Sequence, residues 1–189
     1  PGDGPLEISV GAILTQNTNW RNVEKALANL RAAEAMNVSA LEAMDPPRLA
    51  EMLRPAGYYN VKARRLRGFC RWLLDAGGEA ALREHATETL RPALLAVKGI
   101  GPETADDILL YALERPVFVV DAYTRRLFSR LGLAPADLPY GTLRAGVETG
   151  LGPDVGLFNE LHALIVNHGK SVCRPRPRCG DCVLRRDCP

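Results

Sequence analysis

Apolar residues recur every three to four positions along most of the chain, and strict two-residue alternation is rare, so the chain reads as a succession of helices. Leu66, Phe69, Leu73 and Leu74 mark one face of a helix over about 59–75 that stops at Gly77-Gly78. Ala12, Leu14, Val23, Leu27 and Leu30 fit helical faces interrupted around 16–19. Asp45-Pro46 reads as an N-cap followed by proline at the first helical position, opening a helix to about Leu53. Ser39 is the candidate cap of a short helix before it. Thr87 or Thr89 caps the next helix, through Leu95, and further helices fit 102–113, 122–131, 140–150 and 155–168. Val117-Phe118-Val119-Val120 is β-branched, but four residues between two helices read as a buried extended link rather than a sheet strand. The last sixteen or so residues form a Cys/Arg/Pro coil.

Composition agrees with an all-α fold: Leu and Ala total 51 residues against 18 for Val and Ile. At 189 residues the chain makes one large domain or two small lobes, with enough length for a hydrophobic core. No apolar run approaches ~18 residues, so no membrane span is expected. Net charge is only +2, which does not by itself demand a nucleic-acid partner. Where the charges fall matters more. Lys62, Arg64, Arg65 and Arg67 cluster in one helix, and Arg174, Arg176, Arg178, Arg185 and Arg186 sit among the terminal cysteines. A charge run is ordinarily a solvated face, but two such clusters in a weakly charged chain fit a one-sided nucleic-acid footprint. The chain starts at Pro1 without Met and shows no signal or transit pattern, which reads as a trimmed, cytoplasmic, nucleoid-associated protein.

Five cysteines are present, and four crowd into the last 17 residues as Cys173-x5-Cys179-x2-Cys182-x5-Cys188. That is not a disulfide framework. A structural zinc site usually takes two close pairs far apart, whereas here one close pair is flanked by two outliers. Such a single loop suits the larger 4Fe-4S cluster, with zinc and free thiols as the alternatives. Four thiolates with no open position make such a centre structural, pinning the loop and presenting Arg174, Arg176 and Arg178 to a phosphate backbone. Cys70 lies on an apolar helical face and reads as a small buried hydrophobe.

The stretch Leu94-Leu95-Ala96-Val97-Lys98-Gly99-Ile100-Gly101-Pro102-Glu103-Thr104-Ala105-Asp106 reads as helix, tight turn, helix. Gly99 and Gly101 allow positive backbone angles and leave amides uncovered by side chains. Pro102 opens the second helix, so its free amides and dipole point into the turn, a geometry that binds a phosphate without reading a base. With aliphatic Ile100 between the glycines and an apolar helix on each side, the segment over about 93–113 reads as a helix–hairpin–helix DNA-binding element, with Lys98 among its DNA contacts. Asp121 ends the Val117–Val120 run just before a helix; a carboxylate there is either an N-cap alone or a cap that also projects into a cleft. Glu103 sits in the first turn of the second hairpin helix, where an acid also favours the dipole. His85, His162 and His168 lack the spacing of a metal site or triad, and no Ser-His-Asp or Cys-His set is visible.

Taken together, Lys98-Gly99-Ile100-Gly101, Val119-Val120-Asp121 eighteen residues after Glu103, and His168-Gly169-Lys170 with Arg178-Cys179-Gly180-Asp181-Cys182 resemble the endonuclease III superfamily of DNA glycosylases. Leu14-Thr15-Gln16-Asn17-Thr18 and Gly57-Tyr58-Tyr59-Asn60-Val61-Lys62-Ala63 match two further signatures. The resemblance implies an all-helical, two-lobed fold with damaged double-stranded DNA bound across the cleft by a monomer. The helical barrel lobe is expected over 1–115 and the cluster lobe over 116–189, with the cluster loop at 173–188. Asn60 and Lys62 join the hairpin among the expected DNA contacts. The family's usual N-terminal helix has no counterpart in this sequence, which points to a shortened chain or a minimal version of the family.

Departures from the pattern carry information. Endonuclease III proper has a catalytic lysine where this sequence has Glu103, and a carboxylate cannot form the Schiff base that cuts the strand. The chain is more similar to the endonuclease III-like 3-methyladenine DNA glycosylases, through Gly11-Ala12-Ile13-Leu14-Thr15-Gln16-Asn17-Thr18, Trp20, Gly101-x-Glu103-x-Ala105-Asp106 and Val119-Val120-Asp121-x-Tyr123. The best-known members of that group lack the cluster cysteines, and the first cysteine gap here is one residue shorter than the usual six.

The resemblance implies hydrolysis of an N-glycosidic bond after the base leaves the stack. Gln16 would fill the hole, Tyr58 would wedge the opposite strand, and Asp121 would stabilise the oxocarbenium-like sugar and orient or deprotonate water. Glu103 would position water or line the pocket. A 3-alkyl or 7-alkyl purine is already cationic and leaves without a strong acid, and Trp20 would stack on it for roughly 0.5–2 kcal/mol. Core packing is the competing reading for Tyr58 and Trp20, and the expected one for Trp72. By the same resemblance Pro1 would be the proline that the alkyl-purine enzymes carry at the pocket. The expected activity is therefore a monofunctional alkyl-purine DNA glycosylase. The alternatives are an endonuclease III paralogue acting on oxidised pyrimidines and a non-catalytic lesion-binding module.

Overall fold

The computed structural model describes residues 2–189, so Pro1 lies outside the described residues. The regular structure of those residues is all helical, as expected, and it divides into two compact units, Pro1–Glu114 and Arg115–Pro189.

The N-terminal unit contains α1 (Pro5–Thr15), α2 (Trp20–Ala32), α3 (Val38–Ala43), α4 (Pro46–Leu53), α5 (Tyr59–Asp75), α6 (Gly78–Glu84), α7 (Thr87–Ala96) and α8 (Pro102–Asp107). Short polar side chains start several of them. Asn19 accepts from the Asn22 amide at 3.1 Å, and Asn37 accepts from the Ala40 amide at 2.7 Å. Asn37 therefore caps α3, and Ser39 lies inside it. Ala86 occupies the cap position of α7, so neither Thr87 nor Thr89 serves there. Gly77 and Gly78 do end α5, but both adopt positive φ (87° and 83°), and the reversal starts α6, which the stop signal had hidden. Beyond α8 the helix widens over Ile108–Ala112, where the Leu113 amide donates to the Ile108 carbonyl five residues back at 3.0 Å.

Val10, Ile13 and Leu14 of α1, Leu27 and Leu30 of α2, and Leu66, Phe69 and Leu73 of α5 are fully or almost fully buried. α3 and α4 pack on α5, while α1 packs on α2 and on the Ile108–Ala112 turn. Arg91 on α7 forks onto the buried Asp106 of α8, Nε to Oδ1 at 2.7 Å and Nη2 to Oδ2 at 3.1 Å. That bidentate pair ties the two legs of the hairpin together. No helix among the described residues is long and apolar enough to cross a membrane.

The C-terminal unit contains α9 (Ala122–Arg130), α10 (Tyr140–Leu151) and α11 (Val155–Ser171), then a loop with one short 3-10 turn at Cys179–Asp181. Val117, Phe118, Val119 and Val120 form a buried extended link, as expected. The Phe118 amide donates to the Glu148 carboxylate at 2.9 Å, and the Phe118 ring meets Phe158 edge to face at 5.7 Å. α11 crosses α9 closely at Gly169: a Cβ there would lie 2.6 Å from Cδ1 of Tyr123.

Candidate active site

In the N-terminal unit the hairpin turn runs from Val97 to Gly101. Its Gly99 has φ 94°, a conformation only glycine adopts cheaply. A Cβ at Gly99 would also sit 2.5 Å from Cγ of Arg65, so this turn is glycine for two reasons. Lys98, Gly101 and Glu103 are exposed, Glu103 in the first turn of α8. Ile100 differs from the expected DNA contact. Its side chain is buried and its amide donates to the Val97 carbonyl at 3.0 Å, so it anchors the turn from inside.

The segment after α1 lies against this hairpin. The Gln16 amide nitrogen donates to the Gly99 carbonyl at 3.1 Å and to the Thr104 hydroxyl at 2.9 Å, and its oxygen accepts from Arg65 Nη1. Trp20 opens α2, half-buried, with its ring edge over Gly11 of α1. Tyr58 is 71% exposed at a left-handed φ of 46° just before α5, so the core reading for this ring is overturned. Asn60 is exposed in the first turn of α5.

The basic cluster on α5 is not a phosphate-facing stripe. Lys62 is 1% exposed, and its ammonium donates to the Leu14 carbonyl at 2.8 Å and the Ala56 carbonyl at 2.7 Å. Burial, then the nearby Arg65 charge, push its pKa down. This corrects the expectation that Lys62 contacts DNA: it is held inside because two helix-end carbonyls need a donor there. Arg67 donates to the Glu42 carbonyl at 2.9 Å, and Arg64 remains exposed.

In the C-terminal unit Asp121 caps α9, its Oδ1 accepting from the Thr124 amide at 2.7 Å. Its Oδ2 lies 3.6 Å from Nε2 of the buried His162 on α11. Burial pushes the Asp121 carboxyl up, but the His162 imidazole and the Thr124 amide together more than offset it, holding the pKa below the usual carboxylate range. The group is both a cap and a poised, ionised carboxylate. Sequence reading missed His162 because its partner is on another helix.

All five cysteines are free, and Cys70 is fully buried, its thiol pushed up to about 12 chiefly by that burial. Cys173, Cys179, Cys182 and Cys188 line one apolar cavity of about 50 Å³. Among the described residues no three Cys, His, Asp or Glu side chains form a group that could hold a single metal ion. The loop is secured from α9 by arginines that the sequence did not single out. Arg126 donates to the Cys173 and Gly169 carbonyls at 2.8 and 2.9 Å; Arg130 donates to the Arg174 and Pro175 carbonyls at 2.7 and 2.9 Å and to Cys173 Sγ at 3.3 Å. Arg174, Arg176 and Arg178 are exposed, with Arg178 paired to Asp181 at 2.6 Å.

Residues 10–149 match the family model described as HhH-GPD superfamily base excision DNA repair protein. A protein of Methanocaldococcus jannaschii provisionally named a DNA repair glycosylase is 43% identical over 191 residues, spanning 100% of this chain and 87% of its own. The crystal structure of H. pylori 3-methyladenine DNA glycosylase bound to 1,N6-ethenoadenine is 33% identical with a TM-score of 0.76, covering 87% of this chain and 84% of that one. A non-covalent endonuclease III–DNA complex superimposes with a TM-score of 0.82 over 100% of this chain and 84% of its own, a likeness of fold at 23% identity. With its hairpin, its helix-capping aspartate and these relatives, the chain belongs to the HhH-GPD superfamily of base excision DNA repair proteins and is a DNA glycosylase.

Proposed function

We propose that this glycosylase is monofunctional and removes alkylated, 3-methyladenine-type purines from double-stranded DNA, with Asp121 as the catalytic carboxylate. The observation that carries the reading is the pair of acids: an exposed Glu103 in the first turn of α8 and a buried, ionised Asp121 capping α9. Strand cleavage through a Schiff base needs an amine at the position of Glu103, and the first turn of α8 carries a carboxylate there instead. Lys62, the buried amine of the same unit, is occupied by two carbonyls.

Asp121 stabilises the sugar as it gains positive charge and orients the attacking water. A cationic alkyl-purine needs no strong acid to leave, and Trp20 offers it an electron-rich face. Gln16 fills the vacated stack and exposed Tyr58 wedges the other strand. Lys98, Gly99, Gly101, Asn60, Arg174, Arg176 and Arg178 hold the backbone. The likeness to a 3-methyladenine glycosylase at 33% identity supports the substrate class.

The test is base release from methylated DNA beside thymine-glycol DNA, with strand breaks scored before and after hot alkali. Methylpurine release with breaks only after alkali is the expected result. Thymine-glycol release with direct breaks would overturn the reading in favour of an endonuclease III activity.

Cys173, Cys179, Cys182 and Cys188 are also proposed to hold a 4Fe-4S cluster. Four free thiols on one small cavity support this, as does the Arg130 N–H that donates to Cys173 Sγ at 3.3 Å. When bound, the cluster supplies a structural tie for the 173–188 loop. The purified protein is expected to be brown, with about four irons per chain, and Cys182→Ala to lose both colour and iron. A colourless, zinc-bearing preparation would refute the assignment.

A further inference from the structure

The side chain assigned to enter the duplex is half-buried and held against the hairpin. Gln16 uses both amide N–H groups, on the Gly99 carbonyl and the Thr104 hydroxyl, and its oxygen accepts from Arg65. Its backbone neighbourhood is tethered as well, through Lys62 on the Leu14 carbonyl. Lys62 and Arg65 are three residues apart on one face of α5, so a single helix grips this segment at backbone and side chain. The Arg65 stem also fills the space a Cβ at Gly99 would need, which seats the guanidinium directly beneath the hairpin turn.

We infer that Arg65 is a positioning residue: with Gly99 and Thr104 it forms a latch that holds Gln16 against the hairpin, and release of this latch is the step that lets Gln16 enter DNA. The inference rests on the reading of Gln16 as the side chain that fills the vacated stack. Gln16 cannot leave without breaking three hydrogen bonds at once. The latch therefore restrains the protein from opening undamaged base pairs, and one of its partners, Gly99, lies in the hairpin turn itself. A guanidinium that simply contacted phosphate would behave differently. Its loss would weaken binding on all sequences and lower the salt dependence by about one counterion.

The experiment places 2-aminopurine in undamaged and abasic-analogue duplexes and reads fluorescence on saturation with the folded protein. Arg65→Met is expected to raise the signal on the undamaged duplex about tenfold, the equilibrium worth of one hydrogen bond to a charged group. The salt slope of binding is expected to stay unchanged. Thr104→Val, which keeps the buried volume and loses the hydroxyl, is expected to act in the same direction and carries the test if Arg65→Met does not fold. Gln16→Ala is expected to abolish the gain in either background. An unchanged signal in both latch variants, with Gln16→Ala still impairing extrusion at the lesion, overturns the latch alone. A salt slope reduced by about one, with no gain in extrusion, makes Arg65 a phosphate contact and also overturns it. If Gln16→Ala has no effect at the lesion, the role of Gln16 fails, and the latch with it.

Discussion

Asp121→Asn is expected to lower the rate of base release by about a thousandfold and to leave DNA affinity unchanged. The size follows from electrostatics. A unit charge about 4 Å from a developing cation is worth roughly 4 kcal/mol at an effective dielectric near 20. Each ~1.4 kcal/mol is a factor of ten in rate. Asparagine caps a helix as well as aspartate does, so α9 and the Thr124 contact survive and the loss reports charge rather than folding. Single-turnover release from methylated DNA, beside a binding titration, is the measurement. Equal activity in the Asp121→Asn protein sinks the mechanism.

The same carboxylate is expected to set the acid limb of the rate profile. Its pKa lies below the usual range in the folded protein, so it is ionised at neutral pH, and its contribution to stability is lost as pH falls through the folded pKa. His162→Leu removes the imidazole that offsets burial, so the pKa rises and the acid limb of the rate profile moves to higher pH. A limb that stays in place would show that His162 only packs.

Arg91→Leu destabilises the protein by about 3–5 kcal/mol, because it takes the bidentate partner from a carboxylate that is 0% exposed. The opposite change costs less. Arg91 is 21% exposed and re-solvates when Asp106→Asn removes the charge, so that variant loses about 1–3 kcal/mol. For a chain of this size the arginine variant melts roughly 10 °C lower. Thermal and urea melts of the two variants rank them, and a larger loss for Asp106→Asn would contradict this account. Because the pair joins α7 to α8, the arginine variant is also expected to bind undamaged DNA more weakly.

The all-helical fold and several helix boundaries were legible without coordinates, and the exceptions have physical causes. Gly77-Gly78 reads as a stop in sequence, yet two consecutive positive φ angles reverse the chain into α6 just as well. Ser39 looked like a cap, but Asn37 reached the Ala40 amide first. The candidate site divides in the same way. Asp121 was recognisable as a cap before a helix, and Gly99 as a turn that no larger residue fits. Lys62 was misassigned because a lysine within a basic run has the same letters whether it faces water or carbonyls.

The sequence by itself determined what acts within a few residues of the chain: apolar periodicity, proline at helix starts, the glycines of the hairpin and the spacing of the terminal cysteines. These depend on backbone sterics and local hydrogen bonds, which neighbouring residues settle. The tertiary structure alone decided which polar groups leave water and whom they meet. It buried Lys62 under α1, turned Gln16 onto Gly99 and Thr104, and set His162 beside Asp121. Those outcomes follow from desolvation and contacts between distant segments, whose energies exist only once folding has brought the partners together.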